Sequence, residues 1–114
     1  MAKKIFYILA GLALLMTLAF VILNKPAISF GQCLTANGFT MYGTDTCSSC
    51  KQQKQLLGED FEQVHYVNCF FSLDSCRKKE IKAYPTWEKN GKLVVGIQTP
   101  TELAELSGCK IKNS

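Results

Sequence analysis

The sequence predicts an α/β fold, a four-stranded mixed sheet flanked by helices, behind one N-terminal transmembrane helix. Three observations predict it. Ile5 to Leu23 is a run of 19 uncharged, mostly apolar residues. A strand–helix–strand pattern follows, with Cys47-Ser48-Ser49-Cys50 at its first junction. A hairpin signal at Asn90-Gly91 and a helix opening at Thr99-Pro100 complete the chain. Elements in that order form one sheet covered by helices.

As a helix the apolar run would rise about 28 Å, near the hydrocarbon thickness of a bilayer. Lys3 and Lys4 precede it and Asn24-Lys25-Pro26 ends it. The lysine balance favours residues 1–4 in the cytoplasm, a signal-anchor over 5–23, a tether over 24–29 and an extracytoplasmic domain over 30–114. Cleavage near Ser29, at Ala27-Ile28-Ser29, is the alternative, although 19 residues is long for the apolar region of a signal peptide. Gln32 before Cys33 does not suit a lipoprotein cysteine.

Phe30 to Ala36 is expected to form one or two helical turns, stopped by Asn37-Gly38. Phe39 to Tyr42 reads as a strand, and Gly43-Thr44-Asp45 as the loop that delivers Cys47. A helix starting near Ser48 runs to Leu57 and stops at Gly58. Phe61 to Val67 is expected as the second strand, aromatic and β-branched toward its end. After an irregular stretch, Asp74 is expected to cap a helix from Ser75 to about Lys82. Thr86 to Lys89, Asn90-Gly91 and Lys92 to Ile97 give the hairpin, because Asn-Gly suits a type I′ turn. Thr99 as cap, Pro100 at the first position and Glu102 three residues on from the cap start the last helix, which stops at Gly108.

From Phe30 onward ten Lys and Arg face nine Asp and Glu, a net of +1. That balance is no footprint for nucleic acid. All six cysteines fall in the 85 residues of 30–114, a density suited to an oxidising compartment and a small core. If Cys47 pairs with Cys50, three pairings remain for the other four. Cys69–Cys76 closes a short local loop and Cys33–Cys109 ties the domain's ends together, and this set is favoured over the crossed ones.

Cysteines three apart at a helix start meet on one face, close enough to join or part as a dithiol. The helix start directs backbone N–H groups at Cys47 and favours its thiolate, the attacking form. Ser48 and Ser49 offer hydroxyl donors, while Asp45 and Lys51 are flanking charges that tune the pair or merely solubilise. Tyr84-Pro85-Thr86-Trp87 is the second element. Proline at a strand entrance cannot complete the ladder, and a cis Tyr84–Pro85 bond would leave Tyr84 free to pair with an extended substrate. His65, the only histidine, reads as a half-buried strand residue. Trp87, Phe61, Phe70 and Phe71 read as core or loop packing residues.

Together these residues resemble the thioredoxin superfamily, and more closely the thioredoxin-like domain fused to bacterial vitamin K epoxide reductase homologues. Met41-Tyr42-Gly43, the CxxC, the pair Cys69 and Cys76, Tyr84-Pro85-Thr86-Trp87, Gly91-Lys92-Leu93 and Thr101 to Gly108 carry the resemblance. It implies a thioredoxin-like fold and a protein-disulfide oxidoreductase, with Cys47 as nucleophile, Cys50 as resolving cysteine and Tyr84 and Pro85 in the substrate groove. It implies a second disulfide, Cys69–Cys76, near that surface. The implied partners are thiols of secreted or envelope proteins and a vitamin K epoxide reductase-like membrane protein. Quinone would be reached only through that partner, and no cofactor or metal is expected beyond the redox-active disulfide. Three departures stand out: further membrane helices are lacking, Cys33 and Cys109 look like additions, and Met41 replaces the buried acid of thioredoxins. The alternatives are a reductase of specific extracytoplasmic disulfides, a metal-binding or delivery module using Cys47, Cys50 and His65, and an adaptor without turnover. For the metal module, no second CxxC supplies the paired spacing zinc favours.

Overall fold

The structure, a computed structural model, describes residues 1–24 and 27–111. The tether expected over 24–29 includes positions 25 and 26, which lie outside the described residues. Helix α1 (Ala2–Leu23) buries none of its residues. Its 22 residues, with an 18-residue stretch of mean hydropathy 2.6, make it long and apolar enough to cross a membrane.

Helix α2 (Phe30–Ala36) is held at its start by Ser29, whose hydroxyl accepts from Gln32 while the Gln32 side chain returns to the Ser29 amide. Gly38 follows at φ 84°. Strand β1 (Thr40–Gly43) is buried along its whole length. It pairs in parallel with β2 (His65–Asn68) and antiparallel with β3 (Thr86–Lys89), and β3 pairs with β4 (Lys92–Val95), giving the order β2-β1-β3-β4. Between β1 and β2 lie α3 (Ser48–Leu57) and a 3₁₀ turn over Gly58–Gln63. Helix α4 (Leu73–Lys78) precedes the hairpin and α5 (Pro100–Ser107) follows it.

Two expected elements differ. The second strand begins at His65 rather than Phe61, because the chain leaves Gly58 in a 3₁₀ turn that packs Asp60 against α2. A Cβ on Gly31 would run into the Asp60 carbonyl, and the Thr35 hydroxyl donates to Gln63 O at 2.7 Å. Helix α4 starts two residues before Ser75 and ends at Lys78, not Lys82, because the backbone turns left-handed at Glu80 (φ 59°) and cannot continue a helix. The hairpin turn has positive φ at both Asn90 and Gly91, 52° and 81°, as a type I′ turn requires. The last helix carries the expected capping box of Thr99 and Glu102 behind Pro100.

Alternation along β1 divides the interior. Met41 faces a core made with Leu34, Leu57, Trp87 and Leu103. Tyr42 faces the other way, onto Cys69 and Cys76 with Val67 and Ile81. Gln53, fully buried on α3, accepts from the Trp87 indole at 3.1 Å and from the Gln98 amide at 2.7 Å, and donates to Gln98 O at 2.8 Å. A buried amide with all these bonds made locks the CxxC helix to the sheet and to the segment entering α5.

Candidate active site

Gly43 ends the central strand, and the turn after it delivers Cys47 as the N-cap of α3. A Cβ at Gly43 would stand 2.7 Å from Cys50 Sγ, so only glycine lets the strand pass beside the thiol. Cys50, one turn into α3, is fully buried, whereas Cys47 is part-exposed. The Cys50 amide donates to Cys47 Sγ at 3.2 Å. It is this amide, and neither Ser48 nor Ser49, that reaches the sulfur among the described residues. The outer thiol is thus presented to solvent while the inner one waits behind it.

The Tyr84–Pro85 peptide is cis. The Thr86 hydroxyl donates to Ala83 O at 2.7 Å and the Gly96 amide to Pro85 O at 2.8 Å, which fixes the turn against the sheet. Tyr84 O faces the Cys47 thiol at 3.7 Å, so the structure brings Tyr84 and Pro85 together with the CxxC. Lys51 is exposed. Asp45 instead joins a side-chain cluster, with Lys54 Nζ at 3.3 Å, Tyr66 OH at 3.3 Å and Asn68 Nδ2 at 2.9 Å.

The other four cysteines form Cys33–Cys109 and Cys69–Cys76, leaving Cys47 and Cys50 as the free pair. Cys69–Cys76 backs onto Tyr42, and the Cys69 amide donates to Gly43 O at 2.8 Å. His65 is exposed on β2 and its Nδ1 lies 3.2 Å from Thr40 Oγ1, so the fold does not bring it to the thiols. Among the described residues no three His, Cys, Asp or Glu groups are placed to hold a metal ion together.

Phe70 and Phe71 pack on each other in a loop but are not buried. They are 71% and 78% exposed, edge to face with each other, on the turn after β2. Trp87 is fully buried, and Phe61 packs its edge on Tyr66. With Thr44, Asp45, Thr46 and Asn68 the two exposed rings line a groove of about 240 Å³ beside the loop that carries Cys47. No sequence signal separated these rings from core ones, since β2 stops short of them and their neighbours are fixed by tertiary structure.

Burial, and then the neighbouring Cys47 sulfur, push the Cys50 thiol up to about 11, against the weaker pull of the Thr44 backbone and the Lys54 ammonium. Because this value lies above the ordinary 9.0, the protonated thiol stabilises the folded dithiol form below about 9. That contribution is lost as pH rises through about 11. With iodoacetamide at about pH 8, the expected outcome by mass spectrometry is alkylation of Cys47 with Cys50 spared until the pH approaches 11. Equal labelling of both at about pH 8 would contradict the buried placement.

Sheet order, the CxxC at the first strand–helix junction and the cis-proline turn facing it define a thioredoxin-like fold bearing a dithiol site. No protein-family profile matches the chain. Thiol-disulfide oxidoreductase LTO1 of Arabidopsis thaliana is 35% identical over 91 residues, covering 72% of this chain. The chain spans only 24% of that relative's length. Among solved structures, the NTD_N/C domain of alkylhydroperoxide reductase AhpF from Enterococcus faecalis aligns with a TM-score of 0.51 at 16% identity, over 74% of this chain and 45% of that one. This likeness is one of fold. A thioredoxin from Fasciola hepatica aligns with a TM-score of 0.44 at 19% identity, over 66% of this chain and 85% of its own.

Proposed function

We propose that this chain is a membrane-anchored, extracytoplasmic protein thiol–disulfide oxidoreductase that passes electrons from thiols of secreted or envelope proteins to a vitamin K epoxide reductase-like quinone reductase in the membrane. The observation that carries the exchange chemistry is the pairing of a part-exposed Cys47 with a buried Cys50, whose amide donates to Cys47 Sγ at 3.2 Å, opposite the cis-proline turn. The similarity to a thiol-disulfide oxidoreductase supports it. The apolar helix α1 supports the anchor.

In the oxidising direction a substrate thiolate attacks Cys47 Sγ of the Cys47–Cys50 disulfide, because only that sulfur is reachable. The Cys47–Cys50 bond breaks and Cys50 leaves with the electron pair, taking up a proton in its apolar setting. The substrate's second thiolate then attacks its own sulfur in the mixed disulfide, forming the substrate disulfide and releasing the Cys47 thiolate. Two electrons now reside on the dithiol, to be passed on by the same exchange with a cysteine pair of the membrane partner. Phe70 and Phe71 supply apolar surface for an unfolded substrate segment beside the loop that carries Cys47, and Tyr84 faces Cys47 itself.

Trapping tests the direction. The Cys50→Ser chain, expressed in its native membranes and separated without reductant, is expected to accumulate mixed disulfides with secreted proteins and with a quinone-reductase cysteine. Adducts confined to a dedicated reducing partner and its targets would overturn the oxidising role and favour the reductase alternative.

A further inference from the structure

Resolution of a mixed disulfide requires the buried Cys50 to lose its proton, and β1 carries Met41 where a carboxylate would assist. The titratable and charged groups around Cys50 are Cys47 at the N-cap of α3, Lys54 on α3, Asp45 on the preceding loop and Tyr66 on β2. The core cluster that Cys50 belongs to, Met41 and Trp87 included, is apolar. Lys54 stands four residues after Cys50, on the same helix face. A lysine there would ordinarily extend into water, yet this side chain is only 29% exposed. Asp45 Oδ1 holds its ammonium at 3.3 Å, and the ammonium lies 4.4 Å from the centre of the Tyr66 ring. Tyr66 OH donates to the same carboxylate, and Asn68 Nδ2 donates to Oδ2 at 2.9 Å. The ring of Tyr66 and the thiol of Cys50 flank Gly43 together, so the clasp reaches the inner cysteine through its Tyr66 side, while Asp45 itself is 64% exposed. A charge held one helical turn away in a partly desolvated setting acts on a thiolate more strongly than it would in water.

Resting on the exchange reading, we infer that Lys54, clasped by Asp45 over the Tyr66 ring, is a positioning residue that favours the Cys50 thiolate when Cys50 resolves a mixed disulfide. In that step the Cys50 proton passes to solvent and its thiolate attacks Cys47 Sγ. The Cys47–Cys50 bond forms as the bond from Cys47 to the other protein's sulfur breaks, and that protein, the membrane partner in the oxidising direction, departs as a thiolate with the electron pair. Asp45 has the opposing influence: it holds Lys54 in place but offsets part of its charge.

The two charges therefore predict shifts of opposite sign. The full chain in detergent micelles is mixed with oxidised glutathione, quenched in acid, and the Cys47–glutathione adduct followed by mass spectrometry across pH. Lys54→Gln is expected to slow resolution about 3- to 10-fold at neutral pH and to raise its pH midpoint by about 0.5 or more, with Lys54→Arg restoring both. Asp45→Asn, which keeps an acceptor for Tyr66, is expected to lower the midpoint. A midpoint unmoved by Lys54→Gln, or moved the same way by both variants as a scaffolding loss would do, overturns the role of Lys54 alone. A wild-type chain whose adduct forms but is never resolved by Cys50 overturns the exchange reading with it.

Discussion

Cys47→Ser is expected to lower thiol–disulfide exchange by at least about a thousandfold, because a serine hydroxyl stays protonated at neutral pH and forms no disulfide. The structure explains why Cys50 cannot take over. It is fully buried behind Cys47, its proton is held up to about 11, and its only route to a substrate sulfur passes through Cys47. Cys50→Ser is expected to give a different failure: Cys47 still attacks, but adducts accumulate and turnover stops. Turnover is checked by oxidation of a reduced two-thiol peptide, and adducts are read on non-reducing gels after mixing Cys50→Ser with a peptide disulfide that the Cys47 thiolate can open. Residual turnover in Cys47→Ser, or a Cys50→Ser chain that collects no adduct, would contradict the assigned roles.

Replacing both Cys33 and Cys109 with alanine is expected to be the most destabilising change remote from the thiols. The bridge joins residues 76 apart, and the loop-entropy argument assigns such a closure about 4.5 kcal/mol, against about 2.5 for the 7-residue separation of Cys69–Cys76. It pins α2 to the segment after α5, so its loss frees both ends of the domain. Trp87, the single tryptophan and fully buried, reports the unfolding directly by fluorescence. A substantially lower denaturant midpoint is expected for Cys33→Ala with Cys109→Ala, and a smaller fall for Cys69→Ala with Cys76→Ala. Reversal of that order would show that local packing around Tyr42, not chain entropy, dominates.

The features legible in the sequence are those set by neighbours along the chain. Asn90-Gly91 dictated the hairpin because two successive positive φ angles suit few other pairs. Thr99, Pro100 and Glu102 placed the start of α5 to the residue, since a capping box is complete within four positions. The misplaced boundaries depended on contacts from elsewhere. Phe61 to Gln63 have strand-like side chains in part, but α2 packs against Asp60 and Gln63 and keeps them in a 3₁₀ turn. Exposure of Phe70 and Phe71 was equally hidden, because hydrophobicity alone does not say which side of a turn meets water. The Asp45 cluster was half visible. Asp45 beside the CxxC could be noted, and Lys54 four residues after Cys50 follows from helix periodicity, but Tyr66 and Asn68 join them only through the parallel pairing of β1 with β2.

The central claim is that Cys47–Cys50 is a reversible two-electron pair on a framework whose other four cysteines stay oxidised. Redox titration of the full chain in glutathione buffers, with every cysteine mapped by alkylation and mass spectrometry, tests it most directly. The account predicts one two-electron transition, confined to Cys47 and Cys50, with Cys33–Cys109 and Cys69–Cys76 intact across it. A transition that opens either of those bridges, or an oxidised form in which Cys47 or Cys50 is joined to one of the other four, would contradict it.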